Sequence, residues 1–281
     1  MKTRIPLKKY NVLFWNCNGK DSNSIFQDCL HDIVQDYKTD IVALCECKDN
    51  PTNILSILRT NSPSFSFIGE SLPLKDIGCI RVFSKISQGA FTTERKSNRF
   101  LSYAFFNKYD LCFVHLKSVL SISEESKAIE DLVVIEDIHK KDVAHGNKLK
   151  KFIIGDFNAN PFSNSMINTR LFNSVRYSET NKSCHRKQHY DYNIYINPCW
   201  ELLGKKNEII HGTIHNTVSD YYNLGTYLFD QVIFNRDLSK NFDENSLKII
   251  TSSSNHNLVS SRGIIINSYS DHLPIFFSIK G

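Results

Sequence analysis

Apolar residues in this chain come in short runs of at most four to five, as in VLFW at 12–15 and IVALC at 41–45, and most runs stop at a polar side chain. Strands buried in a sheet read this way, whereas a bilayer span needs about 20 consecutive apolar residues. No transmembrane helix is therefore expected. The first residues are basic, but Asn16 interrupts the apolar run before a signal-peptide core could form, so a cytoplasmic protein is expected. With 281 residues, 12 Tyr and 19 Phe, the chain has too much aromatic area to stay unfolded in water.

The runs alternate with helical patterns in the first half. Tyr10 to Trp15 reads as a buried strand, and Ile25, Phe26, Cys29, Leu30, Ile33, Val34 and Tyr37 form a stripe at helical spacing. IVALCE at 41–46 then completes a β-α-β unit with parallel strands. Pro51 starts a short helix carrying Ile54, Leu55 and Leu58. SFSFIGE, IGCIRVFS, RFLSYAFF and DLCFVHLK suggest an antiparallel meander, followed by a helix from Ser123 to about His139 with Ala128, Ile129, Leu132, Val133 and Ile138 on its apolar side. Lys151 to Gly155 is the next buried strand. From 163 to 226 the pattern fades into a loop-rich segment, and TYLFDQVIF, SLKII and LPIFFSI read as the last strands. No Pro, Gly or Ser-rich linker divides the chain, so a single domain over residues 1–281 is expected.

The eight cysteines are scattered, and Cys45 and Cys47 lack the spacing of a zinc knuckle. They read as free thiols in a reducing compartment. The candidate chemistry lies instead where strands begin or end: Asn16, Glu46, His115, Asp156 with Asn158, Asp230, and Asp271 with His272. Loops at one edge of a sheet can bring such residues together. Carboxylates and carboxamides are hard oxygen donors suited to Mg²⁺ or Mn²⁺, and histidines beside them can move protons.

Six segments carry a resemblance when taken in order: FWNCNG, LCE, FVHL, GDFNANPF, FDQVIF and SDHLP. They resemble the motifs of the endonuclease/exonuclease/phosphatase superfamily, with its deoxyribonuclease I-like fold, over about residues 10–279. The resemblance implies a four-layer α/β sandwich, in which two mixed sheets pack face to face with helices outside, and a divalent-metal phosphoesterase site at one edge. It implies Glu46, Asn16 and Asp271 as the metal residues, and Asp156 and Asn158 as the groups that handle the attacking water and the scissile phosphate. Asp230 would orient His272, and His115 would bind phosphate or assist the leaving group. Glu70 would orient His115, and Asn18 matches the second polar position of the first motif. Asn235 and Tyr227 flank the Asp230 motif.

The superfamily handles several phosphoesters, so the substrate must be argued separately. A formal charge of +5 and the basic segment His185, Arg186, Lys187 favour a nucleic-acid backbone, DNA or RNA. A small-molecule or lipid phosphoesterase, of the inositol-phosphate phosphatase or sphingomyelinase-like kind, is the alternative. A non-catalytic binding protein is disfavoured because every acidic and histidine position is retained. No obligate protein partner is expected.

Overall fold

The computed structural model describes residues 8–69, 79–118, 123–144, 149–177, 184–187, 190–204, 210–215 and 225–281. In chain order the first strands are β1 (Lys9–Asn16), β2 (Ile41–Cys45), β3 (Ser66–Phe67), β4 (Arg81–Ser84), β5 (Phe91–Lys96), β6 (Phe100–Phe105), β7 (Tyr109–His115) and β8 (Lys150–Asp156). Short strands follow: β9 (Ser174–Val175), β10 (Cys184–Lys187), β11 (Tyr190–Asn193), β12 (Tyr195–Ile196), β13 (Ile214–His215) and β14 (Thr226–Tyr227). The chain closes with β15 (Asp230–Asn235), β16 (Phe242–Ile249) and β17 (Ile275–Lys280). Three helices matter for the architecture: α1 (Ser24–Asp36), α2 (Pro51–Arg59) and α3 (Glu124–Ala144).

These strands build two mixed sheets, ordered β16-β17-β1-β2-β4-β3 and β5-β6-β7-β8-β15-β12-β9. Each sheet holds a parallel pair, β1 with β2 and β7 with β8, and each pair is linked through a helix, α1 or α3. The strands flanking these pairs run antiparallel to them. This arrangement decides where chemistry can gather. Parallel strands deliver their C-terminal residues to one edge, and their antiparallel neighbours β15 and β17 start from that same edge.

Side-chain alternation sorts the second sheet into two faces. Leu111 and Phe113 of β7, Phe152 and Ile154 of β8, and Val232 and Phe234 of β15 join a buried cluster that also takes Val12 and Phe14 of β1 and Phe83 of β4. The alternate residues Cys112, Val114, Ile153 and Ile233 pack in a second cluster with Ile135 and Ile138 of α3. The layers are thus helix, sheet, sheet, helix, as the resemblance implied. Burial of each such side chain contributes about 1.5–3 kcal/mol, so the two faces together supply most of the drive to assemble the sandwich.

The helices obey local rules. Asn23 caps α1 by accepting the Ile25 N–H at 2.9 Å, and Phe26 of α1 packs on Trp15 with ring centroids 4.5 Å apart. Asn50 caps α2 in the same way, ahead of Pro51 at the first helical position. Ser123 caps α3 through the Ser126 N–H at 3.2 Å.

Three sequence expectations need correction. The expected meander is split: β3 and β4 belong to the first sheet, while β6 and β7 belong to the second with β5, which was not anticipated. Alternation identifies a strand's faces but carries no information on which sheet it joins. The α3 stripe holds only in part. Ala128, Leu132 and Ile138 face the sheet as expected, joined by Ile135, but Ile129 and Val133 are 65% and 55% exposed. Finally, the 163–226 segment contributes β9 and β12 to the edge of the second sheet and pairs β10 with β11. Two-residue strands are too short to show a period.

Among the described residues no helix is long and apolar enough to cross a membrane. Among the described side chains seven cysteines are free thiols, six of them buried.

Candidate active site

Asn16 ends β1, Glu46 follows β2, His115 ends β7 and Asp156 ends β8. Register locks them together: Asn16 lies beside Cys45, His115 beside Asp156, and Asp156 beside Asp230 at the start of β15. Gly155 permits this junction. Its φ is +154°, and a Cβ built there would lie 2.0 Å from the Val114 carbonyl oxygen, so only glycine lets β7 and β8 approach this closely.

The first half of the site is a carboxylate pair joined by an amide. Asn16 Nδ2 donates to Glu46 Oε1 at 2.9 Å and to Asp156 Oδ2 at 3.0 Å. Asn16 Oδ1 is engaged by the Asn18 backbone N–H at 3.0 Å, which fixes the amide orientation. Asn16 therefore presents nitrogen rather than oxygen to the carboxylates. It ties Glu46 to Asp156 and so stands beside the carboxylates of the expected metal site. Glu46 sits at φ +56°, a turn conformation that ends β2. Hydrogen bonding from His115, aided by Asn16 and by the charges of His115 and His272, outweighs partial burial and holds the Glu46 carboxyl down at about 2.

Both imidazoles converge on Asp156. His115 Nε2 lies 3.3 Å from Glu46 Oε1 and 4.0 Å from Asp156 Oδ2, while His272 Nε2 lies 3.9 Å from the same Asp156 oxygen. Burial opposes the charged form of His115, but hydrogen bonds to Cys79 and Glu46 and the Asp156 charge overcome it and raise the ring to about 10. His272 is also raised to about 10, because the charge and hydrogen bond of Asp230, with help from Asp156 and Asp271, exceed the burial penalty. Its Nδ1 is 2.7 Å from Asp230 Oδ2. Burial in turn pushes the Asp230 carboxyl up, against the pull of His272.

The backbone around His272 is tightly held. Its N–H donates to Ser270 Oγ at 3.1 Å, its carbonyl accepts from Trp15 Nε1 at 2.8 Å, and Ser270 Oγ donates to the Asn16 carbonyl at 2.7 Å. Thr213 Oγ1 accepts the Asp230 N–H at 3.1 Å. Ser270, Trp15, Thr213 and Cys79 were missed from sequence. Only Ser270, two residues before His272 in SYSDH, carried a local signal.

The remaining expected residues divide. Asn158, at φ +48°, donates its backbone N–H to Asp156 Oδ1 at 2.8 Å and its side-chain Nδ2 to the Leu116 carbonyl at 3.0 Å, so it braces the Asp156 loop. Asn18, at φ +46°, serves the turn through its backbone. Asp271 adjoins His272 and accepts a long contact from Ser270 Oγ at 3.5 Å. Asn235 lies at the opposite end of β15, where its Oδ1 accepts the Lys151 N–H at 2.6 Å, so it is remote from Asp230. Tyr227 stacks near Phe229, with ring centroids 5.3 Å apart. Glu70 lies outside the described residues. His185, Arg186 and Lys187 fall on β10 rather than in a loop, and the side chains of that strand are outside the description.

Among the described residues, two groups of His, Cys, Asp or Glu side chains bring their ligand atoms within 4.8 Å of one another: Glu46, His115 and Asp156, and Asp156, Asp230 and His272. Asp271 belongs to neither. The first group, with Glu46 ionised and half-exposed beside a buried Asp156, fits a hard divalent cation. The second is a buried imidazole set between two carboxylates.

The Endonuclease/Exonuclease/phosphatase family model matches residues 13–200. No curated protein matches the chain. Among solved structures, truncated Caenorhabditis elegans TDP2 is 16% identical with a TM-score of 0.53, covering 97% of this chain and 98% of its own. D. rerio TDP2 complexed with a single-strand DNA product is 13% identical with a TM-score of 0.55, covering 98% and 100%. A mannosyl-6-phosphatase from Bacteroides thetaiotaomicron is 14% identical with a TM-score of 0.55, covering 97% and 100%.

Proposed function

Because the chain belongs to the Endonuclease/Exonuclease/phosphatase family, and so to the metal-dependent phosphoesterases, we propose that it hydrolyses phosphodiesters of nucleic acid. One observation carries this reading: Glu46, His115, Asp156, Asp230 and His272, spread over most of the sequence, form one network of carboxylates and imidazoles at a single sheet edge. The proposal takes residues 1–281 as one catalytic domain, and the free cysteines support a reducing, cytoplasmic setting.

Glu46 and Asp156 would hold Mg²⁺ or Mn²⁺, with Asp271, next to His272 in sequence, as a further residue near it. When bound, such an ion neutralises phosphoryl oxygens and the leaving oxygen. Asp156, braced by Asn158 and flanked by both rings, aligns the attacking water. His272 Nε2 faces the phosphate with its other nitrogen fixed by Asp230, the arrangement that keeps an imidazole in one orientation. His115 Nε2 presents a second donor on the Glu46 side. Asn16 keeps the two carboxylates at fixed separation.

The nucleic-acid choice rests on the net charge of +5 and on the likeness to a TDP2 structure that holds a single-strand DNA product. A sugar-phosphate phosphatase is the second reading, favoured by the equal TM-score to the mannosyl-6-phosphatase. The test offers labelled single-stranded DNA, duplex DNA, RNA, mannose 6-phosphate and inositol phosphates to wild type, Glu46→Gln and His272→Ala, with Mg²⁺, Mn²⁺ or chelator. Metal-dependent strand cleavage lost in both variants is the expected result. Phosphate release from the small substrates alone would transfer the assignment to the second reading, and undiminished turnover in both variants would sink the site.

A further inference from the structure

We propose that Cys79 is the positioning residue of His115, holding the ring by its Nδ1 so that Nε2 carries a hydrogen toward the Glu46 and Asp156 carboxylates. The thiol lies 3.3 Å from His115 Nδ1. On the other side of the ring, Nε2 is 3.3 Å from Glu46 Oε1. An ionised carboxylate only accepts, so the hydrogen between Glu46 and the ring belongs to Nε2. Nδ1 then either accepts the S–H of Cys79 or, in the charged ring, donates to sulfur. Both arrangements give the same donor direction.

The fold places Cys79 there for a reason visible in the sheet. Strands β2 and β4 run antiparallel with Leu44 beside Arg81, so the residues just before β4 lie at the end of the sheet where Glu46 follows β2. Past the Glu46 turn the pairing slips by one residue, and the Cys47 N–H donates to the Cys79 carbonyl at 3.0 Å, which holds Cys79 beside Glu46. His115 is itself anchored, since its N–H donates to the Arg99 carbonyl at 2.9 Å. With the backbone fixed at both ends, the thiol contact determines the remaining freedom, which is rotation of the ring. Partners of this kind set the orientation and tautomer of site histidines, and their loss costs about 10-fold or more in activity.

The consequences for turnover rest on the phosphoesterase reading, whereas the ring geometry does not. Full-length wild type, Cys79→Ala, Cys79→Ser, His115→Ala and the Cys79→Ala/His115→Ala double variant are compared by ring-nitrogen NMR without metal, and by kcat and KM with Mg²⁺ on whichever phosphoester the wild type cleaves. The wild-type spectrum should show a single His115 state with hydrogen on Nε2, kept in Cys79→Ser and replaced by mixed states in Cys79→Ala. Turnover should fall about 10-fold in Cys79→Ala with KM within about two-fold, and Cys79→Ser should recover most of it. In the His115→Ala background the cysteine change should cost nothing more, because it acts only through the ring. A wild-type ring spectrum in Cys79→Ala, or an equal loss with and without His115, would overturn the proposal. If Glu46→Gln and His272→Ala keep wild-type turnover, the phosphoesterase reading fails instead, and the spectra still decide the role of Cys79.

Discussion

Asp230 and His272, 42 residues apart in sequence, meet at 2.7 Å between Oδ2 and Nδ1 in the interior of the protein. This contact leaves Nε2 as the only ring nitrogen able to face a substrate. Replacing His272 with alanine should lower kcat by about 10²-fold or more, the scale of a lost proton-transfer or charge-stabilising group. Asp230→Asn should lower kcat with KM little changed, since it alters the ring rather than any substrate contact. Steady-state kinetics on the substrate identified by screening checks both.

The same pair sets a pH dependence. The folded value of His272, about 10, lies above the ordinary histidine value of about 6.5, so its stabilising contribution is complete below about 6.5 and disappears as pH rises through about 10. Metal-free wild type should therefore lose stability between pH 7 and 10 by urea unfolding. Asp230→Asn should lose less over that interval, and NMR should show its His272 ring titrating well below 10. A His272 titration unmoved by Asp230→Asn would contradict the assigned cause.

Gly155 is predicted to reject even a methyl group. A Cβ would meet the Val114 carbonyl oxygen at 2.0 Å, and the backbone conformation at φ +154° is strained for any L side chain. Gly155→Ala should cost about 1–3 kcal/mol or more in stability, because the neighbour is backbone and cannot rotate away. Since Asp156 is the next residue, activity should drop further than the population of folded protein does. Thermal unfolding and kinetics on the same sample separate the two losses.

Lys127 and Asp131 make a buried ion pair on α3, with Nζ 2.8 Å from Oδ2, and the same ammonium donates to the Phe157 carbonyl at 3.1 Å. Phe157 lies between Asp156 and Asn158, so the pair pins the Asp156–Asn158 loop to the helix. Lys127→Met would strand a carboxylate that burial already pushes up, at a cost of about 3–5 kcal/mol. Adding Asp131→Leu should recover much of that stability without restoring full activity. Denaturant unfolding of the three proteins, paired with turnover, provides the measurement.

Much of this protein is determined by local sequence. Short apolar runs mark β7, β8 and β15, the stripe from Phe26 to Val34 marks α1, and the polar residues at strand ends identify Asn16, Glu46, His115, Asp156, Asp230 and His272 as candidates. These signals are readable because burial on both faces leaves a continuous apolar run in a strand, and burial of one face imposes a period of 3.6 on a helix. What the tertiary structure alone decided is partnership across distance. Whether β3 and β4 join the sheet of β2 or that of β6 depends on which edge accepts their backbone groups, and alternation is the same in either case. Asn16 turns its nitrogen to the carboxylates because the Asn18 backbone occupies its oxygen, and Cys79 meets His115 because the Cys47 N–H holds its carbonyl beside the Glu46 turn. Those hydrogen bonds join residues with no shared local pattern, so only the packed sheets bring them within reach.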